Sequence, residues 1–216
     1  MVHHLSAYNS LVCQYISELR DITVQNDRLR FRRNLERLGE IAAYEISKTL
    51  AWTDVEVATP LGLAKAKRLT RQPILATVLR AGLPLHQGLL NYFDKADNAF
   101  VGAYRKHASD GSFVIDMGYH TSPSIAGRTL ILADPMLATG ASLALTLKEL
   151  MQSERPESIH IVVAIASRQG IDFLLEAIPS ATIWAAAIDE KLTPHAYIWP
   201  GLGDAGDLAF GSKAQE

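Results

Sequence analysis

The stretch Thr129-Leu-Ile-Leu-Ala-Asp-Pro-Met-Leu-Ala-Thr-Gly-Ala-Ser142 decides the fold. It opens with an apolar run typical of a buried strand and continues through Asp134 into a turn of small and hydroxyl residues. We expect a helix to begin after the turn, near Ala141. Open α/β sheets bind ligands beyond the carboxyl ends of their parallel strands. The stretch therefore predicts a strand–turn–helix unit with a ligand site at the turn.

The composition of this turn suits a phosphate group. Backbone N–H groups and the positive end of the helix dipole attract anions at a helix start. Thr139 and Ser142 add hydroxyl donors, and Gly140 allows a close backbone approach. The lysine of a Walker loop is absent, so a P-loop ATPase is excluded. The alternative is a structural helix capped by Thr139, but Asp134 at the strand end favours a ligand site.

The rest of the chain repeats the alternation of strands and helices. Apolar runs typical of buried strands cover Ile74–Leu79, Ala99–Tyr104, Thr129–Ala133, Ile159–Ile165 and Thr182–Ile188. Helical stretches cover Leu83–Phe93, Ala141–Met151 and Ile171–Ile178. Nearly continuous apolar strands that alternate with helices predict an α/β fold, with a mostly parallel sheet flanked by helices.

We expect a single domain over residues 1–216, with three distinctive parts. The first part, about residues 1–50, is helical, with an apolar stripe and an arginine-rich stretch that we interpret as a solvated face. The hood segment, about residues 105–127, is polar and contains a possible hairpin strand at Ser112–Met117; long excursions of this kind often act as flexible lids. The base-binding segment, about residues 191–216, is irregular and rich in glycine and aspartate.

Composition excludes several classes of protein. The formal net charge is −2, which argues against a nucleic-acid surface spread over the protein. No apolar run approaches the roughly 20 residues that a membrane span needs, and the first ten residues lack a signal-peptide core. Cys13 is the single cysteine, so no intrachain disulfide and no thiolate zinc site is available. These features favour a cytoplasmic protein without a membrane partner.

The glycine-rich stretch Gly201-Leu-Gly-Asp-Ala-Gly206 matches the G-x-G-x-x-G pattern of dinucleotide-binding folds. Only ten residues follow Gly206, too few for the βαβ unit and the later acidic residue of that fold. Asp204 and Asp207 lack the alternating oxygen ligands of a calcium loop. A surface turn is the plain alternative, although a turn seldom needs three glycines and two carboxylates.

Three segments together resemble the uracil phosphoribosyltransferases, a branch of the type I phosphoribosyltransferases. Asp134–Ser142 is similar to their loop for phosphoribosyl pyrophosphate (PRPP), and Val78–Pro84 is similar to their pyrophosphate loop. Tyr197–Asp207 resembles their uracil-binding segment, and Phe210–Ser212 continues the match. Weaker similarities occur at Thr59–Gly62 and Ala103–Arg105. The uracil-binding segment is the most specific of these, because it identifies the base.

The resemblance implies transfer of the phosphoribosyl group of PRPP to N1 of uracil, giving UMP and pyrophosphate. It implies catalytic roles for Asp204, Arg105 and Asp134. It implies PRPP binding by Arg80, Arg105, Asp134, Pro135, Met136, Leu137, Ala138, Thr139, Gly140, Ala141, Ser142 and Asp204. It implies uracil binding by Tyr197, Ile198, Gly203, Asp204 and Ala205. The expected cofactor is Mg²⁺, held mainly by PRPP oxygens with no direct protein ligand.

Further implications concern partners and departures. The resemblance implies a homodimer or a larger homo-oligomer, and GTP binding, since GTP activates some relatives. Ala141 stands where a second glycine is usual, and Trp199 replaces a small aliphatic residue. The stretch Ala166–Gly170 and the hood sequence around 106–122 also depart from the family pattern. Two alternatives therefore stay open: a regulatory protein that binds the same ligands, and a transferase for another base such as a purine.

Overall fold

The computed structural model describes residues 1–107 and 113–213, with backbone alone for 103–107 and 113–117. Its strands are β1 Val2–His4, β2 Trp52–Thr59, β3 Gly62–Leu69, β4 Ile74–Leu79, β5 Asp97–His107, β6 Phe113–Thr121, β7 Thr129–Ala133, β8 Met136–Leu137, β9 Ser158–Ser167, β10 Ala181–Asp189, β11 Lys191–Leu192 and β12 Ile198–Trp199. Its helices are α1 Leu11–Arg20, α2 Arg28–Ser47, α3 Leu83–Tyr92, α4 Ala141–Leu150, α5 Arg168–Ala177 and α6 Ala205–Phe210.

The central sheet has the strand order β1-β10-β9-β7-β4-β5-β6, and the short strand β8 also pairs with β9. Strand β6 runs antiparallel to β5, whereas the other neighbouring strands of this sheet run parallel. The parallel strands place their carboxyl ends, and the loops that follow them, along one edge of the sheet. This arrangement confirms the predicted α/β fold with a mostly parallel sheet.

Helices cover both faces of the sheet, which explains why its strands are apolar throughout. On β7, Ile131 and Ala133 face the core that includes α2 and α3, whereas Leu130 and Leu132 face the core that includes α4 and α5. All four residues are fully buried. Burial on both faces produces the continuous apolar runs from which the parallel sheet was predicted.

The five predicted strands and three predicted helices are confirmed, each with boundaries within three residues. The predicted hairpin strand at Ser112–Met117 corresponds to β6, although Ser112 itself lies outside the described residues, as does the rest of the hood segment between 108 and 112. Two expectations need correction. Val2–His4 forms an edge strand beside β10 within the part expected to be helical, and the base-binding segment contains α6 and the β11–β12 pair.

Helices α2 and α3 pack with their backbones in close contact. A Cβ atom added at Gly88 would lie 2.8 Å from the backbone nitrogen of Glu40, and one at Gly39 would lie 3.1 Å from the Cα of Gly88. Only glycine permits such an approach, because the neighbouring atoms belong to backbone that cannot move aside. Helix α3 therefore has a fixed place on α2.

Four of the five arginines between residues 28 and 37 are exposed, which agrees with the predicted solvated face: Arg28, Arg30, Arg33 and Arg37. Arg30 pairs with Glu18 at 2.8 Å and Arg33 pairs with Glu36 at 2.6 Å, both arginines being exposed. Arg32 is half-buried and donates a hydrogen bond of 2.7 Å to the backbone carbonyl of Ala209 in α6. Arg32 thus belongs to the contact between α2 and the base-binding segment.

Strands β2 and β3 form a two-stranded antiparallel hairpin outside the central sheet. Most residues of both strands are exposed, and its turn residue Leu61 is fully exposed. Leu63 and Trp52 are also exposed, at 73% and 47%. The hairpin therefore presents apolar side chains to solvent.

Candidate active site

Four loops meet at the carboxyl edge of the sheet. They follow β4, β7, β9 and β10, and their spacing is set by glycines. A Cβ at Gly82 would lie 2.7 Å from the carbonyl oxygen of Ala133, and a Cβ at Gly140 would lie 2.8 Å from that of Gly170. Each glycine therefore lets one loop lie against the next, so that the loops after β4, β7 and β9 form one continuous surface.

The phosphate turn, which we define as residues Ala138–Ser142, has the geometry of a helix start. Gly140 is the N-cap of α4 and has φ of +83°, a conformation that favours glycine. Ala141 is the first helical residue, so its replacement of a second glycine is compatible with the turn. Thr139 does not cap the helix as the structural alternative requires, although its hydroxyl accepts a 3.4 Å hydrogen bond from the Ala141 N–H.

The start of the predicted PRPP-binding stretch is tied to the sheet. The carbonyl of Pro135 accepts hydrogen bonds of 3.0 Å from the N–H groups of Ala164 and Ile165. Leu137 is fully buried, and Met136 pairs with β9. These contacts fix the stretch that leads into the phosphate turn.

Ser167 supports the turn from the neighbouring strand. Its hydroxyl donates to the carbonyl of Ala138 at 2.5 Å and accepts from the N–H of Gly170 at 2.8 Å, where it caps α5. Ser167 is fully buried, so both hydrogen bonds are shielded from water. Sequence reasoning did not single out Ser167, because a serine before a helix indicates a cap and nothing more.

Asp134 stands at the end of β7, before the phosphate turn. Its carboxyl accepts a 3.2 Å hydrogen bond from the N–H of Met136. The residue keeps some contact with solvent, yet protein encloses the carboxyl group, and this desolvation raises the pKa of Asp134 to about 7. Shifts of this size are frequent at functional sites, because a group near neutrality can accept or release a proton.

Arg80 follows β4 directly, and the Leu79–Arg80 peptide bond is cis. The Arg80 side chain is exposed and reaches the base-binding segment, where its Nη2 lies 3.3 Å from Oδ1 of Asp207 and donates to the carbonyl of Gly211 at 3.2 Å. Arg105 lies in β5, but its side chain is outside the described residues. The structure thus brings one of the two predicted pyrophosphate-binding arginines to the base-binding segment.

Asp204 is the N-cap of α6. Its Oδ1 accepts a 3.0 Å hydrogen bond from the N–H of Asp207, and its Oδ2 lies 3.6 Å from Nζ of Lys213. Gly203 before it is exposed with φ of +97°, and Ala205 after it is buried. The predicted uracil-binding residues 203–205 therefore run from an exposed glycine through the N-cap to the buried first residue of α6.

A buried ion pair anchors the base-binding segment to the sheet. Arg20 in α1 makes two hydrogen bonds with the carboxylate of Asp189, of 2.7 and 2.8 Å, and donates to the carbonyl of Gly201 at 3.1 Å. Asp189 also accepts a 3.0 Å hydrogen bond from the N–H of Gly201. Neither charged residue belongs to a motif, and pairing over 169 positions leaves no local pattern in the sequence.

The remaining predicted uracil-binding residues are Tyr197, just before β12, and Ile198, its first residue. Ile198 is buried, whereas the side chain of Tyr197 is half-exposed. The backbone N–H of Tyr197 donates to the hydroxyl of Thr193 at 3.1 Å. Trp199 is 57% exposed, with Nζ of Lys191 5.8 Å from its ring centroid. The unusual tryptophan therefore stands on the surface of the base-binding segment.

The departure at Ala166–Gly170 lies beside the phosphate turn. Arg168 and Gln169 begin α5, are exposed, and line a cavity of about 640 Å³ together with Thr139, Ala141, Asp172, Phe173, Glu176 and Glu190. Arg168 lies 3.5 Å from Glu190, both side chains being exposed. Three carboxylates and one guanidinium give this cavity a negative charge, so it does not extend the anion site.

Residues 1–102 and 118–213, whose side chains the structure describes, contain no group of three or more His, Cys, Asp or Glu side chains suited to a metal ion. None of the described helices is both long and apolar enough to cross a membrane.

The fold is that of the type I phosphoribosyltransferases, with a phosphate turn after a central parallel strand and a base-binding segment beside it. A sequence profile described as uracil phosphoribosyltransferase matches residues 7–212. The chain belongs to the uracil phosphoribosyltransferase family.

Individual relatives agree with this assignment. A protein of Porphyromonas gingivalis named uracil phosphoribosyltransferase is 52% identical over 213 residues, which cover 98% of this chain and 99% of the relative. One of Thermococcus gammatolerans with the same name is 40% identical and covers 93% of this chain and 89% of its own. Among solved structures, the AQ2163 protein of Aquifex aeolicus has a TM-score of 0.86 at 29% identity, with full coverage of both chains.

Proposed function

We propose that the protein transfers the phosphoribosyl group of PRPP to N1 of uracil, which yields UMP and pyrophosphate. The observation that carries this proposal is the contact between the pyrophosphate loop and the base-binding segment. A Cβ at Gly206 would lie 3.9 Å from both Nη2 of Arg80 and Cβ of Ala81, and Arg80 contacts Asp207 directly. The residues expected to meet pyrophosphate thus adjoin those expected to meet the base.

The reaction separates charge at the anomeric carbon of the ribose, as glycosidic cleavage does. The protein has to hold uracil in line with the breaking bond and to stabilise the departing pyrophosphate. Arg80 supplies a planar guanidinium able to bind two oxygens of that group. Arg105 takes the same role from the hood segment, whose closure excludes the water that would hydrolyse PRPP.

The phosphate turn holds the other end of PRPP. Backbone N–H groups at the start of α4, together with the hydroxyls of Thr139 and Ser142, receive the 5′-phosphate. Asp134 accepts hydrogen bonds from the ribose hydroxyls, which favour its ionised form and lower its pKa from the value of about 7. Asp134 thereby releases a proton when PRPP binds.

The base is recognised by backbone groups of Ile198 and of residues 203–205. Uracil presents an acceptor, a donor and an acceptor in sequence, and a site that donates to O4 rejects cytosine, whose amino group is itself a donor. Asp204 assists deprotonation of N1, since its carboxylate lies within the 203–205 segment that binds the base. Tyr197 contributes its backbone and its half-exposed ring to the base site.

The carboxylates of the proposed site are compatible with Mg²⁺ as the cofactor. Mg²⁺ prefers oxygen ligands and retains waters, and Asp134 and Asp204 are the carboxylates that the proposed site contains. The oxygens of PRPP would hold most of the ion's coordination sites, and a bound ion would neutralise charge on the leaving pyrophosphate. Arg80 and the phosphate turn position the substrate that carries it.

Three further expectations accompany the proposed activity. The exposed apolar turn of the β2–β3 hairpin supports a homo-oligomer in which a second copy covers Leu61. Residues 1–216 form one domain, since one sheet collects strands from residue 2 to residue 189. A cytoplasmic location and GTP binding remain predictions from the family.

One assay tests the activity. The protein is mixed with PRPP, Mg²⁺ and each of uracil, cytosine, hypoxanthine and guanine, and the nucleotide formed is measured. UMP alone supports the proposal. Absence of product with any base supports a regulatory protein, and a purine nucleotide supports a transferase of other specificity. Asp204→Asn serves as the matched variant, expected to lower turnover at least tenfold with little change in the unfolding temperature.

A further inference from the structure

Helix α2 supplies cations to the base-binding segment, although none of its residues belongs to a recognised motif. Arg32 Nη1 donates to the carbonyl of Ala209 at 2.7 Å, and its Cζ lies 5.9 Å from the ring centroid of Phe210. The guanidinium of Arg28 adjoins Gly211, where an added Cβ would lie 3.3 Å from its Nη2. Both arginines therefore hold the end of α6.

Helix α6 depends on such contacts for its position. It has six residues, and helices this short are unstable in water without tertiary support. The carbonyl of Ala209 belongs to the last turn, whose carbonyls have no partner within the helix, and Ala209 is fully buried. A guanidinium at this end satisfies the buried carbonyl and complements the negative end of the helix dipole.

The position of α6 sets the position of Asp204. Asp204 is the N-cap, and the helix rises about 1.5 Å per residue, so a rigid piece of about 9 Å separates Asp204 from the end that Arg32 holds. Movement of that end moves the backbone of residues 203–205 with it. Arg32 therefore acts on the base through α6, without touching the base.

Helix α2 also contacts the element that follows the pyrophosphate loop. Helix α2 packs on α3 through the close approach of Gly39 and Gly88, and α3 begins three residues after Arg80. The same helix thus positions the pyrophosphate loop through α3 and the base-binding segment through Arg32. A rigid α2 keeps the two sites in register.

We propose that Arg32 is a positioning residue for the base, which sets the affinity for uracil by holding α6. The proposal rests on the proposed function. It distinguishes Arg32 from Arg33, its neighbour in sequence, because Arg33 points to solvent and pairs with Glu36 within α2.

The test compares Arg32→Met, Arg32→Lys and the control Arg33→Met. Removal of the guanidinium should raise the KM for uracil at least tenfold in Arg32→Met, while the KM for PRPP changes less than twofold. Arg32→Lys should be intermediate, because an ammonium donates to the Ala209 carbonyl without the planar contact to Phe210. Arg33→Met should match the parent in both constants.

A second measurement does not depend on activity. Amide hydrogen exchange in residues 204–211 should become at least tenfold faster in Arg32→Met than in Arg33→Met. If Arg32→Met fails to fold, amide exchange in residues 204–211 is compared between Arg32→Lys and Arg33→Met, and it should again be faster in the Arg32 variant.

An unchanged KM for uracil, an equal rise of both KM values, or unchanged exchange in 204–211 overturns the role of Arg32. Failure of the parent protein to make UMP overturns the proposed function instead, and the exchange measurement still reports on whether Arg32 holds α6.

Discussion

Nη2 of Arg80 lies 3.3 Å from Oδ1 of Asp207, and the two residues are 127 positions apart in the chain. This contact joins the pyrophosphate loop to the base-binding segment. Because the guanidinium is also the proposed ligand of pyrophosphate, the carboxylate of Asp207 and the pyrophosphate of PRPP compete for it. Binding of PRPP therefore exchanges one anionic partner of Arg80 for another.

Asp207→Asn should lower the KM for PRPP by a factor of about two to three. The substitution removes the competing charge, and exposed ion pairs of this kind contribute at most about 1 kcal/mol. Steady-state kinetics with uracil held at saturation measures the effect, and Glu56→Gln, an exposed carboxylate of the β2–β3 hairpin, is the control. A higher KM for PRPP in Asp207→Asn would show that the carboxylate assists binding.

Binding of PRPP should strengthen as the pH rises from 5.5 to 7 and level off above. Burial raises the pKa of Asp134 to about 7 in the free protein, and the ribose hydroxyls favour the ionised carboxylate, so protonation below pH 7 opposes binding. Calorimetric titration across this range measures the dissociation constant. Asp134→Asn should show only the pH dependence of PRPP itself; a dependence equal to that of the parent would remove Asp134 from the ribose site.

On acidification from pH 7 to pH 5, His160→Asn should gain about 2 kcal/mol of stability relative to the parent. Burial lowers the pKa of His160 to about 4, so the unfolded chain takes up a proton below pH 6.5 and the folded protein does not. His160 therefore removes stability as the pH falls through this window, whereas Asp134, with its raised pKa, adds stability there.

The asparagine keeps an acceptor for the Trp184 indole N–H, which donates to Nδ1 of His160 at 3.0 Å. Urea unfolding at the two pH values gives the free energies. Two results would contradict these opposing contributions of His160 and Asp134. One is a His160→Asn variant with the same pH profile as the parent, and the other is a parent that loses stability as steeply as a variant that lacks Asp134.

Gly88→Ala should destabilise the protein by about 2 kcal/mol. In an exposed helix the same change stabilises by up to about 1 kcal/mol, but here the new methyl group would overlap the backbone of Glu36 and approach the Glu40 nitrogen to 2.8 Å. Gln87→Ala, at an exposed position of the same helix, is the control and should change little. A gain of stability in Gly88→Ala would mean that α2 and α3 are not in backbone contact.

Leu61→Glu should shift the protein toward the monomer without unfolding it. Leu61 is fully exposed at the tip of the hairpin, so the substitution costs nothing within one chain but places a charge in any surface that covers it. Light scattering over a dilution series measures the mass, with Gln87→Glu on the exposed face of α3 as the charge-matched control. A parent that is already monomeric at 100 µM contradicts the proposed homo-oligomer.

Much of the fold could be predicted from the sequence because burial on both faces leaves a strong local signal. After Thr129, each residue of the run Thr129–Ala133 is apolar and buried by helices on one face of the sheet or the other. Strand β7 has the predicted bounds. Short elements left no such signal. Strand β1 has three residues, one of them exposed, and α6 has six, so neither contains two full periods from which to identify it.

The candidate site was predictable where its residues are contiguous and hidden where they are not. Asp134 and the phosphate turn form one stretch, and the structure keeps them together at the strand end. Arg32 reaches Ala209 across 177 positions, and Arg20 reaches Asp189 across 169, so only folding reveals either contact. In the sequence, Arg32 is one of five arginines between residues 28 and 37, with nothing to mark it.

The close approach of Gly39 and Gly88 has a practical consequence for redesign. Because α2 and α3 are packed as one rigid unit, a substitution that tilts α2 would displace the pyrophosphate loop and the base-binding segment together. A library intended to accept modified pyrimidines should therefore vary the surface turn around Trp199, which is exposed and forms no part of that unit, and leave the α2–α3 seam untouched.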